Sequence, residues 1–290
     1  MLDNEKKYLM KLKRCNSRIL NSNTRFTQPN RVNLHWWSTE NQDHVENVGD
    51  YLSVVVCNYM LKKKGLSFDD EVKHTKHLYG IGSIIQGGAQ NATIWGSGLK
   101  RGNEDIGFIF RHTRKLDIRL VRGPRTREAL IKNGFKCPEK YGDPALIMPL
   151  IYYPSIKKSR EYLVILHHES KLQYENSITP LYRDYREFID AIISSKLVIS
   201  SSLHGIILAE AYGIPAILLD DDAVSNKFKY EDYYYSTGRF ELGTVASVEE
   251  ALKAPVPNLP DLTGLQKNII SSFPYDLWNV EGRPAMKSQA

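Results

Sequence analysis

The sequence predicts an α/β protein made of two parallel-sheet domains that face each other across a cleft. Three observations carry this. Short apolar runs alternate with amphipathic segments of helical length in the first half of the chain. The same alternation resumes in the second half, after a proline-interrupted stretch near residues 150–160. The chain has 290 residues, with 42% hydrophobic and 25% charged residues. That composition is globular, and the length suffices for two modest cores. No repeat or low-complexity tract points elsewhere.

In order, Tyr8, Leu12, Cys15 and Ile19 share one helical face in a basic N-terminal arm. Val32–Trp37 reads as a strand and Ser38–Glu46 as a polar loop. A helix then runs from about Asn47 to Lys63, because Leu52, Val55, Val56, Tyr59 and Met60 form a core-facing stripe and Gly65 supplies the stop. Leu78–Ile85, Ala92–Trp95 and Asp117–Val121 read as strands. Pro124 opens and Gly134 closes a helix over Arg125–Asn133. After the break, Tyr162–Leu166, Leu197–Ser200 and Ile214–Leu219 read as strands. Tyr185–Ser195 and Ile206–Tyr212 read as helices, and Leu262–Trp278 as a tail that returns to the first half. The expected division is an arm over 1–31, a first domain over 32–155 and a second over 156–290.

Cys15, Cys57 and Cys137 are odd in number and far apart, so neither a disulfide framework nor a zinc cluster is expected. The start of the chain has no apolar signal region, and no apolar run reaches bilayer length. A cytoplasmic location is expected. The net charge is +6, and residues 1–31 carry all of it, with eight Lys/Arg against Asp3 and Glu5. A neutral body disfavours a nucleic-acid binder, whose basic residues must track phosphates across the fold. A basic amphipathic arm suits the surface of an anionic membrane, so residues 1–25 are the expected membrane contact. The same pattern also fits a helix packed on the body with a solvated basic face.

Ligands of open α/β sheets bind beyond the carboxyl ends of the strands, and four motifs map there. Ser200-Ser201-Ser202-Leu203-His204-Gly205 joins a strand to a helix, where free N–H groups and the helix dipole attract an anion. His204 adds an imidazole able to exchange a proton. Arg122, in Val121-Arg122-Gly123-Pro124-Arg125-Thr126, leaves a strand before a helix and suits a carboxylate or phosphate. Arg125 sits farther into that helix. In Asn47-Val48-Gly49-Asp50 the carboxylate reads first as a helix cap, and as a base if it turns into the cleft. His167 and His168 follow a strand; their side chains are expected to diverge, so one at most would act. No HxxxH or HxxE spacing completes a metal site. Gly96-Ser97-Gly98-Leu99-Lys100-Arg101-Gly102 is one residue too long for a dinucleotide fingerprint, and no acidic residue follows where a ribose would be held.

Together these stretches resemble the polysaccharide pyruvyl transferase family, which places pyruvate ketals on capsule and exopolysaccharide sugars. Asn47–Asp50, Ala92–Gly98, Val121–Thr126, Tyr141-Gly142-Asp143-Pro144-Ala145 and Ser201–Gly205 with Glu210–Pro215 carry the resemblance, in order. Lys229-Tyr230-Glu231-Asp232-Tyr233-Tyr234 extends it. The resemblance implies two Rossmann-like domains in a glycosyltransferase-B-like arrangement. It implies phosphoenolpyruvate as co-substrate, no cofactor and no metal. The acceptor it implies is a sugar, galactose bridged at O4 and O6, carried on a polyprenyl-diphosphate lipid. Some members have an arginine where this chain has Ser202.

The candidate donor-binding residues are therefore Arg122, Arg125, Ser202, Leu203, His204 and Gly205. Those for the acceptor are Asn47, Gly49, Asp50, Ser97 and His168. Proton transfer falls to His204 or His167 as acid and Asp50 as base. Two other classes compete. A nucleotide-sugar glycosyltransferase would hold a ribose with Glu210 or Asp220. A non-catalytic carbohydrate-binding subunit would stack sugars on Tyr233-Tyr234-Tyr235.

Overall fold

The structure, a computed structural model, describes residues 27–38, 45–87, 90–102, 114–222 and 226–278. The basic arm, but for its last residues, lies outside them. Strands β1 (Val32–His35), β3 (Lys76–Tyr79), β4 (Ala92–Trp95) and β5 (Leu116–Leu120) form a four-stranded sheet in the order β1-β3-β4-β5. Strands β6 (Leu163–Ile165), β8 (Val198–Ser200) and β9 (Ala216–Leu218) form a second sheet in the order β6-β8-β9. Every pairing in both sheets is parallel. The alternation of apolar runs with helices thus has the meaning expected of it. A two-residue strand β2 (Glu46–Asn47) pairs antiparallel with β7 (Leu181–Tyr182), joining the halves where only a polar loop was expected.

Helix α1 (Val48–Lys62) buries Leu52, Val56, Cys57, Met60 and Leu61 on one face. Each fully buried aliphatic of this kind stabilises the fold by about 1.5–3 kcal/mol. Gly65 follows the helix at φ +62°, as its role of stop requires. Helices α2 (Pro124–Lys132), α3 (Tyr185–Ile193), α4 (Leu203–Ala211), α5 (Phe228–Ser236), α6 (Val248–Lys253) and α7 (Thr263–Ser271) complete the described helices of the α type. Pro144–Leu150 is a short 3-10 helix, buried from Pro144 to Met148. One apolar cluster runs from Val32, Leu52 and Trp95 through that helix to Ile165, Ile206 and Trp278, so both halves share a core.

Two expected boundaries move. The strand expected over 78–85 stops at Tyr79, because Gly82 turns the chain at φ +110° and Ser53 Oγ of α1 takes the Ile81 N–H at 2.9 Å. Helix α4 begins at Leu203, three residues early. Ser202 stands at its N-cap, so a run of serines that reads as loop is the start of a helix.

The segment after α6 packs on the first half. The indole N–H of Trp95 donates to the Ile269 carbonyl at 3.1 Å, and its ring meets Phe273 edge-on at 4.8 Å. Tyr275 Oη donates to Met60 O at 3.0 Å, and Trp278 Nε1 to Ser67 O at 2.9 Å. Trp95→Ala is therefore expected to lose about 3–5 kcal/mol in a urea titration, with Trp95→Phe losing less. A wild-type midpoint for Trp95→Ala would show that this contact does not seal the core.

Candidate active site

A cavity of about 410 Å³ lies among the segments that leave β1, β3, β6 and β8 at their carboxyl ends. The first turns of three helices also line it: Asn47 and Asp50 of α1, Ser202, Leu203 and His204 of α4, and Lys229 of α5. First-turn N–H groups have no partner within their own helix and carry its positive dipole end. Three such ends, with the Lys100 and Lys229 side chains, make the cavity a site for an anion.

His204 rests directly on α1. A Cβ on Gly49 would lie 1.9 Å from His204 Nδ1, so only glycine lets this ring occupy its place. On its other side, Nε2 lies 3.6 Å from Asp143 Oδ2. Asp143 is wholly buried, and its other oxygen accepts from Ala145 N at 3.0 Å, which caps the 3-10 helix. Neither His204 Nε2 nor Asp143 Oδ2 has a hydrogen-bond partner, and each is the nearest opposite group aimed at the other. The arrangement is an imidazole aimed at a carboxylate, the pairing that orients a general base. Sequence reasoning quoted the Tyr141–Ala145 stretch but did not place Asp143 in the site.

Behind the serines, Ser200 Oγ accepts the Ser202 N–H at 2.9 Å, and Ser201 Oγ accepts the His167 N–H at 2.8 Å. A Cβ on Gly205 would lie 2.5 Å from Ser200 Oγ, so Gly205 supports the turn from the rear.

Asp50 is not the cap of α1, since the helix begins at Val48 and Asn47 stands at the N-cap position with no capping side-chain bond. Its carboxyl lines the cavity and is pushed up to about 6 by burial, which outweighs the nearby charges of His204 and Lys229. A Cβ on Gly82 would lie 2.4 Å from Asp50 Oδ1, so the loop after β3 closes over this carboxyl.

The rings of His167 and His168 do not diverge. The chain turns after β6, the rings stack with centroids 4.4 Å apart, and both line the cavity. His167 Nδ1 accepts the Glu169 N–H at 3.2 Å, and its Nε2 lies 3.2 Å from Lys229 Nζ. Burial and the charge of Lys229 push this imidazole down to about 3. His167, His168 and Glu169 bring three potential metal ligands within 4.8 Å of one another, a grouping not anticipated from spacing. Both nitrogens of His167 are already engaged, by the Glu169 N–H and by Lys229, so the group does not suit a cation. Lys229 is itself pushed down to about 8 by burial and by the charges of Arg122 and Lys100.

The other expected residues sit outside the lining. Arg122 is buried: its Nε donates to Asp232 at 3.0 Å, Nη1 to Ser83 Oγ at 2.8 Å and Nη2 to Leu99 O at 2.9 Å. Its fork is committed to the fold and reaches the cavity only through Ser83. Arg125 packs on α5, pairing with Glu231 at 3.2 Å and lying over the Phe228 and Tyr235 rings. Ser97 Oγ donates to the Gly82 carbonyl at 2.9 Å instead of facing the cavity. The glycines around Ser97 serve close packing: Cβ atoms on Gly96 and Gly98 would meet Pro144 at 2.2 Å and Arg122 at 2.4 Å.

Of the residues invoked for the competing classes, Asp220 is exposed and pairs with Lys227 at 3.6 Å outside the cavity lining, Tyr235 is half-buried, and the rest are consumed by the fold. Glu210 is buried, held by Arg239 at 2.6 and 2.9 Å and by Tyr233 Oη. Tyr233 and Tyr234 are core residues, closed to a sugar. Aromatic surface is found instead at Trp36 and Trp37, which line the cavity, with Trp37 5.6 Å from the His168 ring.

Comparison with known proteins follows the same stretches. Residues 47–222 match the family model described as polysaccharide pyruvyl transferase. The chain is 25% identical over 207 residues to an uncharacterised protein of Acanthamoeba polyphaga mimivirus, covering 64% of this chain and 69% of that one. It is 25% identical over 219 residues to the succinoglycan biosynthesis protein ExoV of Rhizobium meliloti (strain 1021), covering 70% and 64%. The matched regions thus span about two thirds of these relatives. A crystal structure of a functionally uncharacterised Klebsiella pneumoniae protein superposes with a TM-score of 0.50 at 18% identity, over 84% of this chain and 98% of that one. At that identity it speaks for the fold alone.

Two predictions follow from the geometry. Gly49→Ala is expected to displace the His204 ring and lower turnover by about tenfold or more, in a protein that still folds by circular dichroism; unchanged turnover would mean that the ring position is immaterial. Asp50 binds its proton more tightly folded than unfolded, so folding stability falls as pH rises from about 4 through 6. Asp50→Asn is expected to be more stable than wild type above pH 6, by up to about 3 kcal/mol, and the gain should vanish below pH 4. A gain independent of pH would assign it to another cause.

Proposed function

The chain belongs to the polysaccharide pyruvyl transferase family, and from that premise we propose that it moves the pyruvyl group of phosphoenolpyruvate onto two hydroxyls of a sugar and releases phosphate. The observation that carries the reading is the convergence of three helix N-termini and two lysines on a cavity lined by His204 and a protonatable Asp50, with Asp143 buried behind His204. Phosphoenolpyruvate carries a carboxylate and a phosphate, and the first turn of α4 with Lys100 and Lys229 offers each a positive partner.

In this reading Asp50 protonates the methylene carbon of the donor, leaving the adjacent carbon cation-like. His204, oriented by Asp143, takes the proton of the first sugar hydroxyl as its oxygen adds to that carbon. The C–O bond to phosphate breaks, and a second hydroxyl closes the ketal. Of the two hydroxyl protons lost, one replaces the proton given to the methylene carbon and the other leaves with phosphate. These roles reverse the assignment expected from sequence, because burial makes Asp50 the better acid and leaves the proton of the hydroxyl to His204, which faces the Asp143 carboxylate at 3.6 Å. His167, held neutral, acts as neither.

The acceptor lies at the Trp36–Trp37–His168 end, where an aromatic face suits the apolar face of a sugar ring. Galactose bridged at O4 and O6, on a polyprenyl-diphosphate carrier, is the proposed acceptor. The proposal places the protein in the cytoplasm, with residues 1–25 on the membrane face, and treats 32–155 and 156–290 as two Rossmann-like domains in a glycosyltransferase-B-like arrangement. It needs no cofactor. Among the described residues no helix is long and apolar enough to cross a membrane. A nucleotide-sugar glycosyltransferase is disfavoured because Glu210 is fully committed inside the fold and Asp220 stands outside the cavity lining.

The test is phosphate release from phosphoenolpyruvate with and without a galactoside, with mass spectrometry of the acceptor. Release that depends on the acceptor, with a mass gain of pyruvate less water, is the expected result. His204→Ala is expected to lower it by about 100-fold or more. Turnover with a nucleotide sugar and none with phosphoenolpyruvate would replace this reading with the competing one.

A further inference from the structure

We propose that Lys229 is the group that captures an anion of the donor, and that His167 is its positioning residue. In the free protein the contact with His167 favours the neutral amine of Lys229, so that at alkaline pH anion binding draws up to one proton from solvent onto Lys229. The inference rests on the donor reading above.

The argument starts from counting protons on one imidazole. His167 Nδ1 accepts the backbone N–H of Glu169 at 3.2 Å, which uses the lone pair of that nitrogen. A neutral imidazole with its lone pair on Nδ1 carries its hydrogen on Nε2. Nε2 lies 3.2 Å from Lys229 Nζ. The Nε2–H can bond there only to an amine with a free lone pair, because an ammonium has none. The peptide after His167 and the lysine of α5 therefore select the same state, neutral imidazole donating to neutral amine. His167 itself is fixed from behind, where its N–H meets Ser201 Oγ at 2.8 Å.

The charges around the pair act in the same direction. Arg122 and Lys100 press on Lys229 as like charges, while Asp50 and Glu169 oppose them. His168 and Lys100 act likewise on His167, opposed by Asp221. Burial is the larger cause for both groups. Lys229 is thus lowered to about 8, so a free amine is accessible near the physiological range. A phosphate ester brought beside Nζ supplies the negative charge that favours the ammonium. The amine takes a proton, the Nε2–H loses its acceptor, and three donors become available to the anion. A lysine held as an amine also spares the free protein a second cation packed beside the buried Arg122.

The experiment is isothermal titration calorimetry of the intact protein with phosphoenolpyruvate at pH 8.5, in two buffers of different ionisation enthalpy. Phosphate esters are fully ionised at that pH, so the ligand contributes no proton change. Wild type is expected to take up about half a proton or more per anion bound. Lys229→Met is expected to lose that uptake and bind about tenfold or more weakly. Lys229→Arg, always charged, is expected to keep affinity within a few-fold without uptake. His167→Gln is expected to lose most of the uptake and none of the affinity, because its carbonyl accepts from an ammonium.

Phosphoenolpyruvate binding without proton uptake, or uptake retained in Lys229→Met, overturns the proposal and leaves the donor reading standing. If phosphoenolpyruvate does not bind, inorganic phosphate is titrated in its place. Phosphate binding with uptake that depends on Lys229 would support the capture device while removing the donor reading. Binding of neither anion would remove both.

Discussion

One buried carboxylate fixes the arrangement on which the site depends. Asp232, on α5 and without exposed surface, accepts from Arg122 Nε at 3.0 Å, from Thr126 N at 2.8 Å and from Thr126 Oγ1 at 2.6 Å. Arg122 in turn holds Ser83 and the Leu99 carbonyl. The start of α2, two loops of the first half and a helix of the second half are thus tied at one point. The pair need not be worth much in net stability, since desolvation opposes the attraction. Breaking it, however, would strand a charge in the core, which costs about 3–5 kcal/mol. What the pair specifies is position. Lys229 lies three residues before Asp232, so the contact that seats α5 also places that lysine in the cavity. The glycines beside the pair have the same origin: a Cβ on Gly123 would lie 1.8 Å from the Asp232 carbonyl.

The cavity gathers positive charge at the expense of the folded state. Three helix ends and Lys100 and Lys229 face it, with Arg122 close behind. Such a concentration is tolerated in three ways. Arg122 is neutralised by Asp232. Lys229 can shed its proton onto solvent, and Asp50, when ionised, sets a negative charge against it. A bound dianion would complete the balance, and mass action would then stabilise the protein. Strain of this kind at a site is what selection for binding, rather than for stability, leaves behind.

Much of this was legible in the sequence, and the failures have physical causes. The parallel strands and α1 were readable because period and burial agree, as at Ala92–Trp95 and Leu52–Met60. The turn at Ser200–Gly205 was readable because a strand must pass its last residue directly to a helix there. Arg122 was misjudged because an arginine before a helix looks the same whether it meets a ligand or a carboxylate 110 residues away. Asp143 was passed over because Asp-Pro reads as a chain break, whereas here it caps a buried turn whose free oxygen faces His204. Lys229 was legible only as the start of a stretch that extends the resemblance; its place in the site comes from α5 docking against the segment after β6. Trp36 and Trp37 read as the end of a strand, and only the described ending of β1 at His35 releases them to the cavity.

The return of the last helix onto the first sheet bears on the order in which the molecule is made. Trp95 waits 174 residues for the carbonyl it binds, while Ser67 waits 211 for Trp278 and Met60 waits 215 for Tyr275. Contacts this distant form late, because the chain between must first be ordered. During synthesis at about 5–20 residues per second, the earliest-made sheet therefore stands for many seconds with a tryptophan face uncovered. The nascent chain is most exposed to misassembly in that interval, well after its first strands have formed, and the segment that ends the exposure is the last described part of the fold to leave the ribosome.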